Sequence, residues 1–268
     1  MMNIRLGLIL FCVSLCTLGG LRAQILPTEN FSLILDTTKT VKGNVLPNFR
    51  FQNLKENVFT FENTSDLTVR LTNHAFTLAN KFELSKVGDE TIQSGGYLYL
   101  EYRSLHEDSS LSVESYAQMH WREARGLDRK YAIGVNLRVR AYRKEKGALF
   151  FGIGPFYEFE RWDFRGVREE DLPTDLTPIE TEFMRYSAYV SFKQNIAEIF
   201  ILDLSIYYQN KLSRPFRQPR LAVASRWTYK FTQYLGLTLQ YQGIYDQKPL
   251  VPIDKLYHDI SLSLSINF

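Results

Sequence analysis

The sequence predicts an all-β fold: an antiparallel transmembrane β-barrel of about twelve strands (ten at the least), with both termini periplasmic. Three observations predict it. Apolar and polar residues alternate with a period of two in segments of roughly ten or more residues, the length a tilted strand needs to cross a bilayer. Aromatic residues reach 14% and crowd the ends of the apolar faces, as an interfacial girdle requires. No run of eighteen or more apolar residues follows residue 24, so a transmembrane helix is not expected.

The chain begins with a secretory signal over residues 1–23. Arg5 supplies the positive start, Leu6 to Leu18 the apolar stretch, and Leu21-Arg22-Ala23 the cleavage site before Gln24. Acylation at Cys16 is the weaker reading, because Val13-Ser14-Leu15 puts a leucine where small residues belong. Residues 24–39 read as a periplasmic N-terminal segment and 40–268 as the barrel. Cys12 and Cys16 are the only cysteines, so the mature chain has no thiol for a disulfide or a cysteine metal site. The formal charge of +3 falls to +1 without Arg5 and Arg22, a balance that excludes a nucleic-acid footprint.

Twelve segments follow in order: 40–53, 58–71, 74–85, 91–105, 111–123, 129–144, 147–163, 182–195, 197–210, 217–232, 234–247 and 256–268. The first two are the weakest, since Asn63 and Ser65 interrupt an apolar face between Phe61 and Leu67. In the fifth, Val113, Ala117, Met119 and Trp121 oppose Glu114, Tyr116, Gln118 and His120; in the sixth, Ile133, Val135, Leu137 and Val139 oppose Gly134, Asn136, Arg138 and Arg140. The ninth sets Leu202, Leu204, Ile206 and Tyr208 against Asp203, Ser205, Tyr207 and Gln209. The tenth carries Trp227-x-Tyr229-x-Phe231, and the eleventh alternates from Leu235 to Gln242. In the last, Ile260, Leu262, Leu264, Ile266 and Phe268 interleave with Ser261, Ser263, Ser265 and Asn267. The polar face of a soluble sandwich would be rich in Lys, Glu and Thr, with few aromatics opposite. A lipocalin-like soluble barrel is the alternative that alternation alone leaves open.

Link lengths give an independent check, because membrane barrels alternate short periplasmic turns with longer external loops. Tight links are expected at Thr72-Asn73, Lys144 to Gly147, Ile196 and Gln233. Longer ones are expected at 86–90, 124–128, 164–181 and 211–216, the 164–181 segment being the largest external loop. Closure is required because an unpaired backbone amide or carbonyl in hydrocarbon costs several kcal/mol, so strand twelve must meet strand one.

Residues 126–162, GLDRKYAIGVNLRVRAYRKEKGALFFGIGPFYEFERW, carry a more specific pattern. Gly126-Leu127 with Arg129 enters a strand at Gly134-x-Asn136, and after a turn Gly152-x-Gly154-Pro155 follows. This segment, about a seventh of the chain, resembles the domain of unknown function 481 family, the salt-stress-induced outer-membrane proteins. Asn136 departs from the family's double glycine. The resemblance implies an outer-membrane barrel and supplies no catalytic residues. Phe268, ending an alternating strand, is similar to the C-terminal signature read by the barrel-assembly machinery of Gram-negative bacteria.

The inward face is expected to hold Arg50, Arg70, Lys81, Arg103, Arg122, Arg138, Arg140, Lys193, Arg226 and Lys230, against Asp66, Glu83, Glu101, Glu114, Glu158, Glu160, Asp203 and Asp259. These charges either pair into a packed interior or line a narrow wet channel for small solutes or ions. Tyr97, Tyr99, Tyr116, Phe150, Phe156 and Tyr189 on the same face argue for occlusion. Arg122, Arg138 and Arg140 are expected to point into one space, as an anion or head-group cluster or as partners of Glu114, Glu158 and Glu160. His120 is the one histidine expected mid-strand in the lumen; His74 and His106 fall at turns and His258 near a strand start. A barrel phospholipase would need a His-x-Ser pair, and none occurs. Glu169-Glu170-Asp171 reads as a solvated loop without calcium-loop spacing. The expected chain is therefore a non-enzymatic outer-membrane barrel with no cofactor, its partners the surrounding lipid and the assembly machinery, and its alternative a lipid-modifying barrel enzyme.

Overall fold

A computed structural model describes residues 40–53, 56–105, 109–144, 146–197, 199–213 and 216–267. The signal segment 1–23, the segment 24–39, both cysteines, His106 and Phe268 lie outside the described residues.

Within them, twelve strands form one closed antiparallel barrel, each pairing with its neighbours in the chain. They are β1 Val41–Asn53, β2 Asn57–Leu71, β3 His74–Val87, β4 Glu90–Ser104, β5 Leu111–Arg122, β6 Leu127–Lys144, β7 Gly147–Trp162, β8 Ile179–Ala197, β9 Phe200–Lys211, β10 Arg220–Lys230, β11 Leu235–Asp246 and β12 Leu256–Asn267. An even count brings the start of β1 and the end of β12 to the same rim, the terminal rim. The opposite rim carries the 163–178 link and is the loop rim.

The alternation is inside out relative to a soluble core. Ile133 is 62% exposed, Leu262 59% and Ile260 69%, while Arg103 is 1% and Glu158 and Glu160 are 0%. A strand's period of two forces this once one face is enclosed. Aromatic residues band both ends of the outer face. Phe200 meets Trp227 at 5.9 Å between ring centroids near the terminal rim, and Tyr131 stacks on Phe159 at 6.1 Å near the loop rim.

The links depart from strict parity twice. Gly88, at φ +59°, closes β3 to β4 in two residues, because a left-handed glycine suits a tight hairpin; the expected longer link at 86–90 is in fact strand up to Val87 and from Glu90. The 105–110 link, on the rim of the tight turns, is instead long. β8 starts at Ile179 and β7 ends at Trp162, so the large loop ends three residues before its sequence limit of 181 and begins one residue earlier, at 163.

Closure itself is narrow. β1 registers with β12 at Asn44 opposite Asn267 and Val45 opposite Ile266, whereas β1 pairs with β2 along its whole length, to Asn53 opposite Asn57. Pro47, just above the last registered pair, has no N–H to extend the ladder.

Candidate functional site

The candidate site is the interior, built by the inward residues of every strand. Glu158 and Glu160 stand two apart on β7 and so point the same way. Arg220 of β10 reaches both: Nη1 donates to Glu158 Oε1 at 2.8 Å and Nη2 to Glu160 Oε2 at 2.8 Å, while Nε donates to Asp246 of β11 at 2.7 Å. Lys130 of β6 lies 2.5 Å from Glu158 Oε2 and 2.9 Å from Glu160 Oε1. Arg185 of β8 donates through Nε to Glu158 at 2.6 Å. Three cations thus face three carboxylates, all buried, in the half of the barrel nearer the loop rim. A charge taken out of water in this way is tolerable only when paired and hydrogen-bonded.

A second knot lies toward the terminal rim. Arg103 of β4 donates through Nη2 to Glu101 at 2.9 Å and sets Nε 2.7 Å from Glu114 Oε1, at an angle that makes the second contact ionic rather than a hydrogen bond. Tyr99 donates to Glu101 at 2.5 Å and Tyr189 to Glu114 at 2.6 Å. Arg138 lies 3.3 Å from Glu114 and stacks 3.6 Å over the Phe150 ring. Lys193 faces Asp203, and Arg226 faces Asp66, each at 3.6 Å. Turned over, the Gln240 amide oxygen accepts from both Nε and Nη2 of Arg226 at 3.1 Å.

Aromatic rings pack alongside the knots. Tyr97, Tyr99, Tyr116 and Phe156 pack with Ala79 and Ala132 in one cluster, and Tyr189 and Tyr207 with Ala222 and Ile244 in another. The glycines of the 126–162 segment make room for these rings. A Cβ on Gly152 would run into the Tyr189 ring, and one on Gly134 would lie 2.6 Å from the Tyr116 hydroxyl and from Phe156 Cβ. At the loop rim Leu127, Trp162 and Val251 are buried together, with Phe164, Val167, Ile179, Leu250 and Ile253 against them. The 163–178 and 247–255 links therefore fold across the mouth, and Arg168 ties them by donating to Asp254 at 3.3 Å.

The expected cluster of Arg122, Arg138 and Arg140 is divided. Arg122 pairs across from Leu127, whereas Arg138 pairs across from Ser112 at the other end of the same hairpin. Ten residues of strand separate those positions, about 33 Å at 3.3 Å per residue. Arg122 pairs with Glu83 at 3.0 Å, Arg138 with Glu114, and Arg140 donates to the Ser109 carbonyl at 3.2 Å. Of the three expected acids only Glu114 meets this trio; Glu158 and Glu160 belong to Lys130, Arg185 and Arg220. Those three cations and Asp246 were missed by sequence reasoning, although each keeps the inward parity of its strand.

His120 faces inward and meets Tyr97 edge-on at 6.5 Å. His74 and His258 bond Tyr102 and Tyr241 hydroxyls at 2.9 and 3.0 Å. Among the described residues no group of three His, Cys, Asp or Glu could hold a metal.

The last cluster flanks the narrow closure. Lys81 of β3 pairs with Glu62 at 2.9 Å, with Glu83, and with Asp259 of β12 at 3.2 Å. Arg122 pairs with Glu83 and, at 3.5 Å, with Asp259; Tyr257 donates to Asp259 at 3.0 Å and lies under the Arg122 guanidinium at 4.5 Å. All of these but Lys81 border a cavity of about 360 Å³.

A closed twelve-stranded barrel with apolar side chains outside and paired charge within is the class this geometry defines. The chain belongs to the family described as Protein of unknown function, DUF481, whose profile matches residues 56–268. No curated protein matches it. Among solved structures it is similar to the NanC porin, at TM-score 0.41 and 15% identity over 83% of this chain and 98% of that one. It is also similar to the translocator domain of autotransporter NalP from Neisseria meningitidis, at TM-score 0.46 and 12% identity over 90% and 92%. A porin refined at 1.8 Å matches at TM-score 0.32 and 8% identity over 85% and 99%.

Proposed function

We propose that the chain is an integral outer-membrane β-barrel of the Gram-negative envelope, exported through a cleaved signal at residues 1–23, and that it serves as a structural barrel shut to solutes at rest. The observation that carries this reading is the knot of Lys130, Arg185 and Arg220 on Glu158, Glu160 and Asp246, which binds strands β6, β7, β8, β10 and β11 across the lumen. A conducting pore needs a wet path between its charges; here every charged group of the knot has an opposite charge against it. The apolar outer face supports insertion in lipid, since a soluble chain would bury Ile133 and Ile260 rather than display them. Phe268 would present the chain to the barrel-assembly machinery.

Planar-bilayer recording of the purified chain tests the reading. The expected record is silent, with no steady channels; steady conductance of the wild-type barrel would overturn the sealed interior. Lipid turnover that is lost on His120→Ala would overturn the non-enzymatic assignment.

A further inference from the structure

We infer that the unzipped upper part of the β1–β12 seam holds the head group of a phospholipid bearing both a phosphate and a primary ammonium. The inference rests on the membrane placement proposed above.

Three observations converge there. First, β1 from Leu46 to Asn53 and β12 from Leu256 to Ser265 each have a sheet neighbour on one side only. In hydrocarbon such an edge costs several kcal/mol for each unsatisfied group, so polar atoms must reach it. Second, the outer wall beside the seam is polar at mid-height. Asn63 and Asn80 both donate to Ser65 Oγ, at 3.4 and 2.9 Å. These side chains occupy outward positions between the apolar Phe61, Leu67, Leu78 and Phe82. Ser65 lies opposite Val45 and Asn63 opposite Pro47, which is the height at which the β1–β12 ladder stops. Third, the charges have a definite complement. The cavity at the seam is lined by Glu62, Glu83, Asp259 and Arg122, with Lys81 beside it, and the three carboxylates share those two cations, one carboxylate more than cations. Arg50, at an inward position on the free stretch of β1, is exposed and makes no ion pair among the described residues.

A surplus carboxylate takes an ammonium and an unpaired guanidinium takes a phosphate. A phosphoethanolamine head supplies both, a few ångströms apart, on a molecule whose acyl chains belong on the outer wall. Phe49, 65% exposed, and Phe51, 55% exposed, stand on the same free strand and offer those chains an apolar bed. The head group's oxygens and ammonium hydrogens would then partner the open backbone edges. A phosphatidylglycerol head carries the phosphate without the ammonium and leaves the surplus carboxylate unanswered.

Native mass spectrometry of the full mature chain, released from micelles doped with dioleoyl phosphatidylethanolamine or dioleoyl phosphatidylglycerol, tests the seam. One phosphatidylethanolamine should stay bound, at several-fold higher occupancy than phosphatidylglycerol, and Arg50→Ala and Glu62→Gln should each lower that occupancy about tenfold, the loss of one charge-assisted hydrogen bond. Soluble phosphoethanolamine and inorganic phosphate should not compete at equal concentration, because they lack the acyl chains. Heat-modifiable gel mobility reports whether each variant is folded. Should Arg50→Ala misfold, Asn48→Cys with Ser263→Cys, positions that face each other if the register continues upward, would lock the seam shut on oxidation and should expel the lipid. Equal retention of the two lipids, retention untouched by the variants or the lock, displacement by the soluble compounds, or a second copy of the chain in place of lipid would each overturn the inference. Steady channels in planar bilayers would overturn the sealed interior without altering the retention ratio, so the two readings fail separately.

Discussion

The Tyr189 hydroxyl donates to Glu114 Oε2 at 2.6 Å across the barrel, from a ring seated directly over Gly152. The glycine and the hydrogen bond are one device: the absent side chain on β7 is what lets a β8 tyrosine lie flat and reach β5. Gly152→Ala should therefore cost about 1–3 kcal/mol as an overpacked position, read as a lower urea midpoint for unfolding from vesicles. Tyr189→Phe keeps the ring and should cost about 1.5–3 kcal/mol through the hydrogen bond lost to Glu114 Oε2, a buried carboxylate whose other oxygen stays with Arg103 and Arg138. Wild-type midpoints in both would mean that the glycine and the hydrogen bond contribute nothing to stability.

Arg220 touches three carboxylates from one side chain. Replacing it with Met keeps much of the volume and leaves Glu158, Glu160 and Asp246 to share Lys130 and Arg185. Breaking a buried pair in this manner costs about 3–5 kcal/mol. The expected outcome is a markedly lower urea midpoint together with ion conductance absent from wild type. Loss of stability without conductance would assign the sealing to the tyrosine layer instead.

The alternation made the barrel legible in the sequence, and legible for a physical reason. A closed sheet has two unlike surroundings on its two faces, here an enclosed charged interior and an apolar exterior, so every strand repeats the same contrast, and twelve weak segments agree. The parity of Lys130, Arg185, Arg220 and Asp246 was equally available, since each stands an even number of places from an inward neighbour such as Ala132, Ser187, Arg226 or Gln242. What alternation does not carry is height. It tells which way Arg122 and Arg138 point, but antiparallel pairing sends them to opposite rims, and only the register, Arg122 opposite Leu127, reveals that. The narrow seam was hidden for a related reason: Pro47, Asn63 and Ser65 weaken the pattern of the first two strands, and the weakness itself marks where the wall opens.

The cap over the loop rim should be separable from the barrel. Val251 is 1% exposed against Leu127 and Trp162, and burying a valine contributes about 1.5–3 kcal/mol. Val251→Asp places a charge in that apolar cluster and should release the 247–255 link. Trypsin added outside intact vesicles should then cut after Lys255, with β-sheet content unchanged. Protection equal to wild type would show the link held by Asp246, whose N–H donates to the Lys255 carbonyl at 3.1 Å.

Val135 gives the sharpest test of what surrounds the barrel. It lies midway along β6, on the outer face, 41% exposed. On a soluble barrel such a position meets water, and Val135→Arg would change stability by no more than about 0.5 kcal/mol. In a bilayer the same substitution sets a guanidinium at the midplane and costs about 2–4 kcal/mol, falling to about 0–1 kcal/mol near the interface. Tyr131→Arg, four residues nearer the loop rim on the same face, supplies the interfacial comparison. Folding into phosphatidylcholine vesicles should thus show a steep loss for Val135→Arg and a small one for Tyr131→Arg. Equal, negligible losses would place this face in water and remove the reason for calling β6 a membrane strand, because both positions are outward and exposed, and the ring contact that Tyr131→Arg gives up with Phe159 can only raise the interfacial loss, so a steeper loss at Val135 reports depth.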